Sequence, residues 1–342
     1  MPIRILAFLT NYRLNRAMEL LKAHVQPGLA LSTYCKIKKR FGTAAAGYII
    51  DICNKRIDAM KTCKAILFFS AAVLLSACGG NADTDKTELD DILTAKPIVK
   101  KNMSVSSTAM NGSVQYSIWL PPTYDEAKKY PVLYLLHGYE QNPADAHNKW
   151  LSTDSYGSFA NGGNLSSIAT QYVREGGVPF IIVTPNCPND FYRDSPGGDQ
   201  YETFFVDEFI PHIEKTYGGN GKRAIAGLSM GGYGTLYHGF LHPDMYTVMY
   251  AMSPATSIGW FEPQPTLESL VKQNASKNLP AITIETGIDD MTVSLTSVQE
   301  FVDKTRNEGV TLDFITRSGG HDWTFWQECL PKALRKAGNS FK

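Results

Sequence analysis

Net charge is the first thing this sequence lacks: 33 Lys and Arg balance 33 Asp and Glu. An even balance excludes the broad attraction through which polyanions are held, so no nucleic-acid partner is expected. Long apolar runs are missing too. The most apolar stretch, Ala65 to Leu74, is about ten residues, against about 20 for a permanent bilayer span. Cysteine is scarce, with six in 342 residues. Only Cys187 and Cys329 fall in the part of the chain that reads as a folded domain, and they are expected as two separate buried thiols, a disulfide being the alternative.

What is present begins with a targeting signal in an unusual place. Met60-Lys61-Thr62-Cys63-Lys64 is a short basic start, Ala65 to Leu74 an apolar core, and Leu75-Ser76-Ala77-Cys78 a small-residue cleavage site. Together, residues 60–78 read as a secretory signal peptide. Its last four residues resemble the lipobox of bacterial lipoproteins, which makes Cys78 the expected lipidated anchor and the only membrane attachment. Residues 1–59 carry Lys36, Lys38, Lys39, Arg40, Lys55 and Arg56 without a repeat, a motif or a periodic face. They are expected to be an over-long gene start, with translation beginning at Met60, and a genuine basic extension is the alternative. Residues 79–96 are polar and acidic (Asp83, Asp85, Glu88, Asp90, Asp91) and read as a tether. The expected location is the bacterial cell envelope, as an outer-membrane lipoprotein, with display at the surface a further expectation.

The folded domain is expected over 97–342. Val114, Tyr116, Ile118 and Leu120 alternate and then meet Pro121-Pro122, which predicts an early antiparallel strand. Pro131 to Leu136 and Pro179 to Val183 are continuously apolar, as strands buried on both faces are. Helical spacing predicts helices over 164–174, over 199–217 with a kink at Pro211, over 298–306, and from near Asp322 to about Arg335 with a bend at Pro331. Further strands are expected at 249–253, 281–285 and 312–316. Strands alternating with helices imply an α/β fold whose mostly parallel sheet carries helices on both faces and gathers its site at the carboxyl ends of the strands.

The motifs lie at those ends. Ala224 to Ala226 runs into Gly227-Leu228-Ser229-Met230-Gly231, followed by a helix-compatible segment. A strand, a sharp turn with a Gly on each side and a helix lift a serine hydroxyl clear of the sheet, so Ser229 is the candidate nucleophile. Pro131 to Leu136 runs into His137-Gly138-Tyr139, the place for the second of two backbone donors to a tetrahedral intermediate. Tyr139 and Met230 are the candidate oxyanion N–H groups. The strand at 281–285 empties into Gly287-Ile288-Asp289-Asp290, which offers two candidate carboxylates. The strand at 312–316 leads through Gly319-Gly320 to His321, the candidate base, and Asp322 reads as the cap of the last helix. His24, His147, His212, His238 and His242 follow no buried strand in this way, and His137 is expected to be structural.

Leu135-Leu136-His137-Gly138, Gly227-Leu228-Ser229-Met230-Gly231-Gly232, Gly287-x-x-Asp290 and Gly319-Gly320-His321-Asp322-Trp323 resemble the esterase family that includes carbohydrate esterase family 1. The likeness covers about residues 110–338. Feruloyl, acetylxylan and enterochelin esterases, S-formylglutathione hydrolase and mycolyltransferase antigens belong to that family. The resemblance implies an α/β-hydrolase fold and a serine esterase without metal or organic cofactor, and it selects Asp290, three residues after the glycine, over Asp289. With a signal peptide, it implies acetyl or feruloyl esters on plant polysaccharide as substrate. Acyl transfer or another ester hydrolysis by the same residues, and a non-catalytic carbohydrate-binding lipoprotein, are the alternatives. Tyr139, Trp150, Tyr192 and Trp323 are as readily core packing as the lining of a sugar site.

Overall fold

The structure, a computed structural model, describes residues 94–259 and 264–342. The stretch 1–59 with His24, the signal peptide and Cys78, and nearly all of the acidic tether lie outside the described residues. Among the described residues no helix is long and apolar enough to cross a membrane.

The domain is built on a sheet of β1 (Ile98–Ser107), β2 (Gly112–Leu120), β3 (Tyr130–Leu136), β6 (Ile181–Pro185), β7 (Gly219–Leu228), β8 (Val248–Met252), β9 (Ala281–Gly287) and β10 (Asp313–Arg317). Their spatial order is β1-β2-β6-β3-β7-β8-β9-β10, while β4 (Ser155–Tyr156) and β5 (Phe159–Ala160) form a separate hairpin. β1 and β2 pair antiparallel, β2 meets β6 antiparallel, and the remaining pairs are parallel. After β3 the chain crosses to β6 on one side and then returns to β7 on the other. The crevice between the ends of β3 and β7 is therefore a topological switch point, where open α/β sheets bind ligands.

Both sheet faces are covered, which explains the unbroken apolar runs. In β3, Val132, Tyr134 and Leu136 enter one core with the helices Met230–Leu241, Leu267–Asn274 and Leu295–Asn307, whereas Leu133 and Leu135 enter the other with Leu165–Arg174 and Trp323–Ser340. Cys187 and Cys329 are buried free thiols in these opposite cores, and the sheet between them excludes a disulfide.

Several elements depart from expectation. β1, polar and exposed over most of its length, gave no periodic signal and forms because its backbone pairs with β2. The helix Leu267–Asn274, capped by Thr266 accepting from Ser269 N–H at 3.1 Å, was also unforeseen. The stretch expected as one helix over 199–217 is Tyr201–Thr203, a π-helical segment Phe204–Phe209 and then Ile210–Tyr217. Pro211 has no N–H to give the preceding turn, and the backbone takes up this loss by widening just before it rather than by a simple kink. The last helix passes through Pro331 and ends at Ser340 rather than near Arg335, held by a buried face that includes Trp326, Leu330, Leu334 and Ala337.

Candidate active site

Ser229 sits between β7 and the helix Met230–Leu241 with φ 52° and ψ −116°, a conformation that L side chains seldom adopt. Its surroundings enforce it. Ser229 N–H bonds Met252 O at 2.9 Å, and Ser229 O accepts from Tyr233 N–H at 3.0 Å and Ala255 N–H at 3.2 Å. A Cβ on Gly227 would lie 2.3 Å from Gly231 O, and one on Gly231 would lie 2.5 Å from His137 O. Neither backbone neighbour is free to give, so both positions require glycine for this crossing.

Two loops converge on the serine. His321 Nε2 lies 2.9 Å from Ser229 Oγ, and His321 Nδ1 lies 2.7 Å from Asp290 Oδ2. Asp290 Oδ1 accepts from Val293 N–H at 2.7 Å and Thr292 N–H at 2.9 Å. Burial alone would raise the Asp290 carboxyl; the His321 bond and the two N–H donors outweigh it and hold the group below the usual carboxylate value. An ionised Asp290 keeps the proton on Nδ1 and leaves the Nε2 lone pair facing the hydroxyl. Asp289 has another task. Its Oδ2 accepts from Gly319 N–H at 3.0 Å and from the Ser318 hydroxyl at 3.1 Å, while its own N–H bonds Gly319 O at 3.1 Å. Asp289 thus ties the carboxylate loop to the histidine loop.

Behind these loops, Glu285 has a fully buried carboxylate that accepts from Lys332 Nζ at 2.6 Å, Tyr250 OH at 2.5 Å and Arg317 Nε at 2.6 Å. Burial pushes this acid up, and the three donors more than offset it. Arg317 also bonds Phe325 O and Glu328 and lies over the Phe325 ring, which secures the end of β10 to the last helix. Asp322 caps that helix, accepting from Phe325 N–H at 2.9 Å. Trp326 meets the His321 ring edge-on at 5.0 Å.

The loop after β3 passes against the serine, since a Cβ on Gly138 would lie 3.4 Å from Ser229 Cβ. His137 is fully buried, and burial lowers its pKa to about 4, so the ring is neutral. Its Nε2 accepts from Cys187 N–H at 2.9 Å, which puts the ring proton on Nδ1 for donation to Gly138 O at 2.7 Å. A trans peptide directs its N–H away from its C=O, so this bond sets the direction of Tyr139 N–H. Among the described residues Tyr139 N–H has no protein acceptor. Met230 opens its helix, where backbone N–H groups lack an intrahelical partner and the helix dipole favours negative charge.

Of the aromatic candidates, Tyr139 is exposed, whereas Trp150, Tyr192 and Trp323 are core. The remaining described histidines have partners away from Ser229: His147 lies between Asn186 and Asn102, His212 at Tyr116 OH and His242 at Glu202, while His238 meets Tyr192 O through Nε2 and keeps a buried Nδ1 without a hydrogen-bond partner. Sequence reasoning missed Asn189, which bonds the Glu140 backbone, because a loop asparagine between Pro188 and Asp190 carries no local signal.

An eight-stranded sheet in this order, with a strained serine turn after β7 and the histidine loop after β10, is an α/β-hydrolase. The chain belongs to the family described as Putative esterase, whose model matches residues 107–337, and it is a carboxylic ester hydrolase. A solved structure of a ferulic acid esterase is similar at 32% identity and TM-score 0.62, over 73% of this chain and 100% of that one. An acetyl esterase from Caldicellulosiruptor saccharolyticus is 26% identical over 243 residues, 61% of this chain and 84% of the relative. An endo-1,4-beta-xylanase/feruloyl esterase from Xylanibacter ruminicola is 31% identical over 153 residues, 41% of this chain but 19% of that enzyme.

Proposed function

We propose that the chain is a serine esterase that removes acetyl or feruloyl groups from plant polysaccharide with Ser229 as nucleophile, His321 as base and Asp290 as its carboxylate. The observation that carries this is the continuous pair of bonds from Ser229 Oγ through the His321 ring to Asp290. Ser229 Oγ attacks the ester carbonyl as its proton passes to His321 Nε2. Negative charge gathers on the carbonyl oxygen before Tyr139 and Met230 N–H. Collapse expels the sugar alcohol, which takes the proton from His321; water then attacks the acyl carbon as it gives a proton to the same nitrogen, and breaking of the bond to Oγ releases the acid as that proton returns to Ser229. The ferulic acid, acetyl and xylanase/feruloyl esterase relatives support the substrate class.

Wild type should hydrolyse p-nitrophenyl acetate, and folded Ser229→Ala should lose roughly 10⁴- to 10⁶-fold in kcat. Equal rates would remove this reading. Comparing acetylated xylan with methyl ferulate decides between the acyl groups. The domain at 97–342 is proposed to hang from lipidated Cys78 on its acidic tether, and a mature protein whose first residue is unmodified by mass spectrometry would refute that.

A further inference from the structure

The loop leaving β6 has no part in the chemistry above, yet it grips the turn after β3 at several points. Cys187 N–H reaches His137 Nε2 at 2.9 Å, and Tyr192 OH reaches His137 O at 2.8 Å. Asn189 makes two further bonds: its Nδ2 donates to Glu140 O at 2.7 Å and its Oδ1 accepts from Glu140 N–H at 3.2 Å. A flipped amide would set N–H against N–H and oxygen against oxygen, so its orientation is fixed.

These bonds account for the backbone on either side of Tyr139. The peptide joining Gly138 to Tyr139 is held through Gly138 O by the His137 ring. The peptide joining Tyr139 to Glu140 is held through Glu140 N–H by Asn189. With both planes pinned, the two backbone torsions of Tyr139 are set, and its N–H keeps one direction whether or not negative charge is present. Such a donor costs no reorganisation when charge develops, which is how an oxyanion site acts. The β6 loop itself is strained: Phe191 and Tyr192 both have φ 63°. Strain of this kind persists only where the surroundings over-determine it. Here Tyr192 N–H bonds Asp190 Oδ1 at 3.1 Å and Tyr192 O lies 2.9 Å from His238 Nε2.

We propose that Asn189 is a positioning residue for the Tyr139 oxyanion donor, acting through the backbone of Glu140 and touching no substrate atom. This rests on the serine esterase reading. The test compares wild type, Ser229→Ala, Asn189→Ala and Asn189→Asp on p-nitrophenyl acetate and titrates each with phenylboronic acid, which forms a tetrahedral adduct on an attacking serine. Loss of the clasp should lower kcat in Asn189→Ala by about 10- to 100-fold with KM nearly unchanged. Phenylboronate should weaken alongside. Asn189→Asp keeps the acceptor for Glu140 N–H but sets an oxygen against Glu140 O, and should fall between. A kcat for Asn189→Ala within about twofold of wild type, or a rise in KM with kcat and boronate affinity intact, overturns the proposal. If Asn189→Ala does not fold, Asn189→Leu, which removes both Glu140 bonds at nearly unchanged volume, decides, and a wild-type kcat in it is fatal. Wild-type turnover by Ser229→Ala would instead sink the underlying reading.

Discussion

Replacing Asp290 by Asn tests the site more sharply than removing it, because the outcome depends on which way an amide must turn. Asp290 Oδ1 accepts two backbone N–H groups, from Val293 and Thr292, and Oδ2 faces His321 Nδ1 at 2.7 Å. In Asp290→Asn the amide oxygen must take the first position, since an NH₂ there would orphan two N–H donors at about 1–3 kcal/mol each. The NH₂ then faces Nδ1. Exchanging the proton between the two imidazole nitrogens costs less than that, so the ring moves its proton to Nε2 and points a donor at Ser229. A base without a lone pair toward the hydroxyl accepts no proton, and loss of the correct tautomer is worth about 10⁴ in kcat, or about 5 kcal/mol. Initial rates on p-nitrophenyl acetate near neutral pH read the effect directly. Asp289→Asn retains an acceptor for Gly319 N–H and should stay within about threefold of wild type. A variant at 290 within tenfold of wild type, or a collapse at 289 instead, would refute the assignment and the amide argument together.

Arg317→Met should destabilise the fold by roughly 3 kcal/mol in urea unfolding, because it leaves buried Glu285 with two of its three donors; an unchanged midpoint would mean that Lys332 and Tyr250 suffice. Gly287→Ala would bring a Cβ to 2.0 Å from Gly319 O, where one backbone must yield, and should lower the thermal midpoint clearly, with recovery of wild-type stability counting against the close approach. His238 is fully buried, and burial lowers its pKa to about 3 from 6.5. Below pH 6.5 the unfolded chain binds a proton there that the folded one does not, so this contribution is complete above pH 6.5 and shrinks as pH falls toward 3, by a few kcal/mol in all. Urea midpoints measured across that range should fall less steeply in His238→Phe than in wild type, and parallel slopes would exclude the buried imidazole as the cause.

Much was legible from local pattern. The apolar runs at β3 and β6 announced strands covered on two faces, and a Gly-flanked serine, a His-Gly and a Gly-Gly-His each following a strand marked one edge of a sheet. β1 was not legible: its residues are polar, and its hydrogen bonds come from a partner strand rather than from its own sequence. The choice between Asp289 and Asp290 was open in the residues themselves, since neighbours of the same chemistry differ only in where the backbone turns them. Family likeness favoured the second, and the structure shows why they differ: one carboxylate faces Gly319 N–H and the other faces His321.

The sequence by itself determined the layered α/β architecture, the order of its chemical groups along the chain and the glycines on which the serine turn depends, because period, strand burial and backbone freedom are properties of short stretches. Tertiary structure alone decided that an imidazole lies 2.9 Å from a hydroxyl across a separation of 92 residues, and that an asparagine after β6 holds the turn after β3. Those distances follow from the register and twist of neighbouring strands, which no single segment encodes.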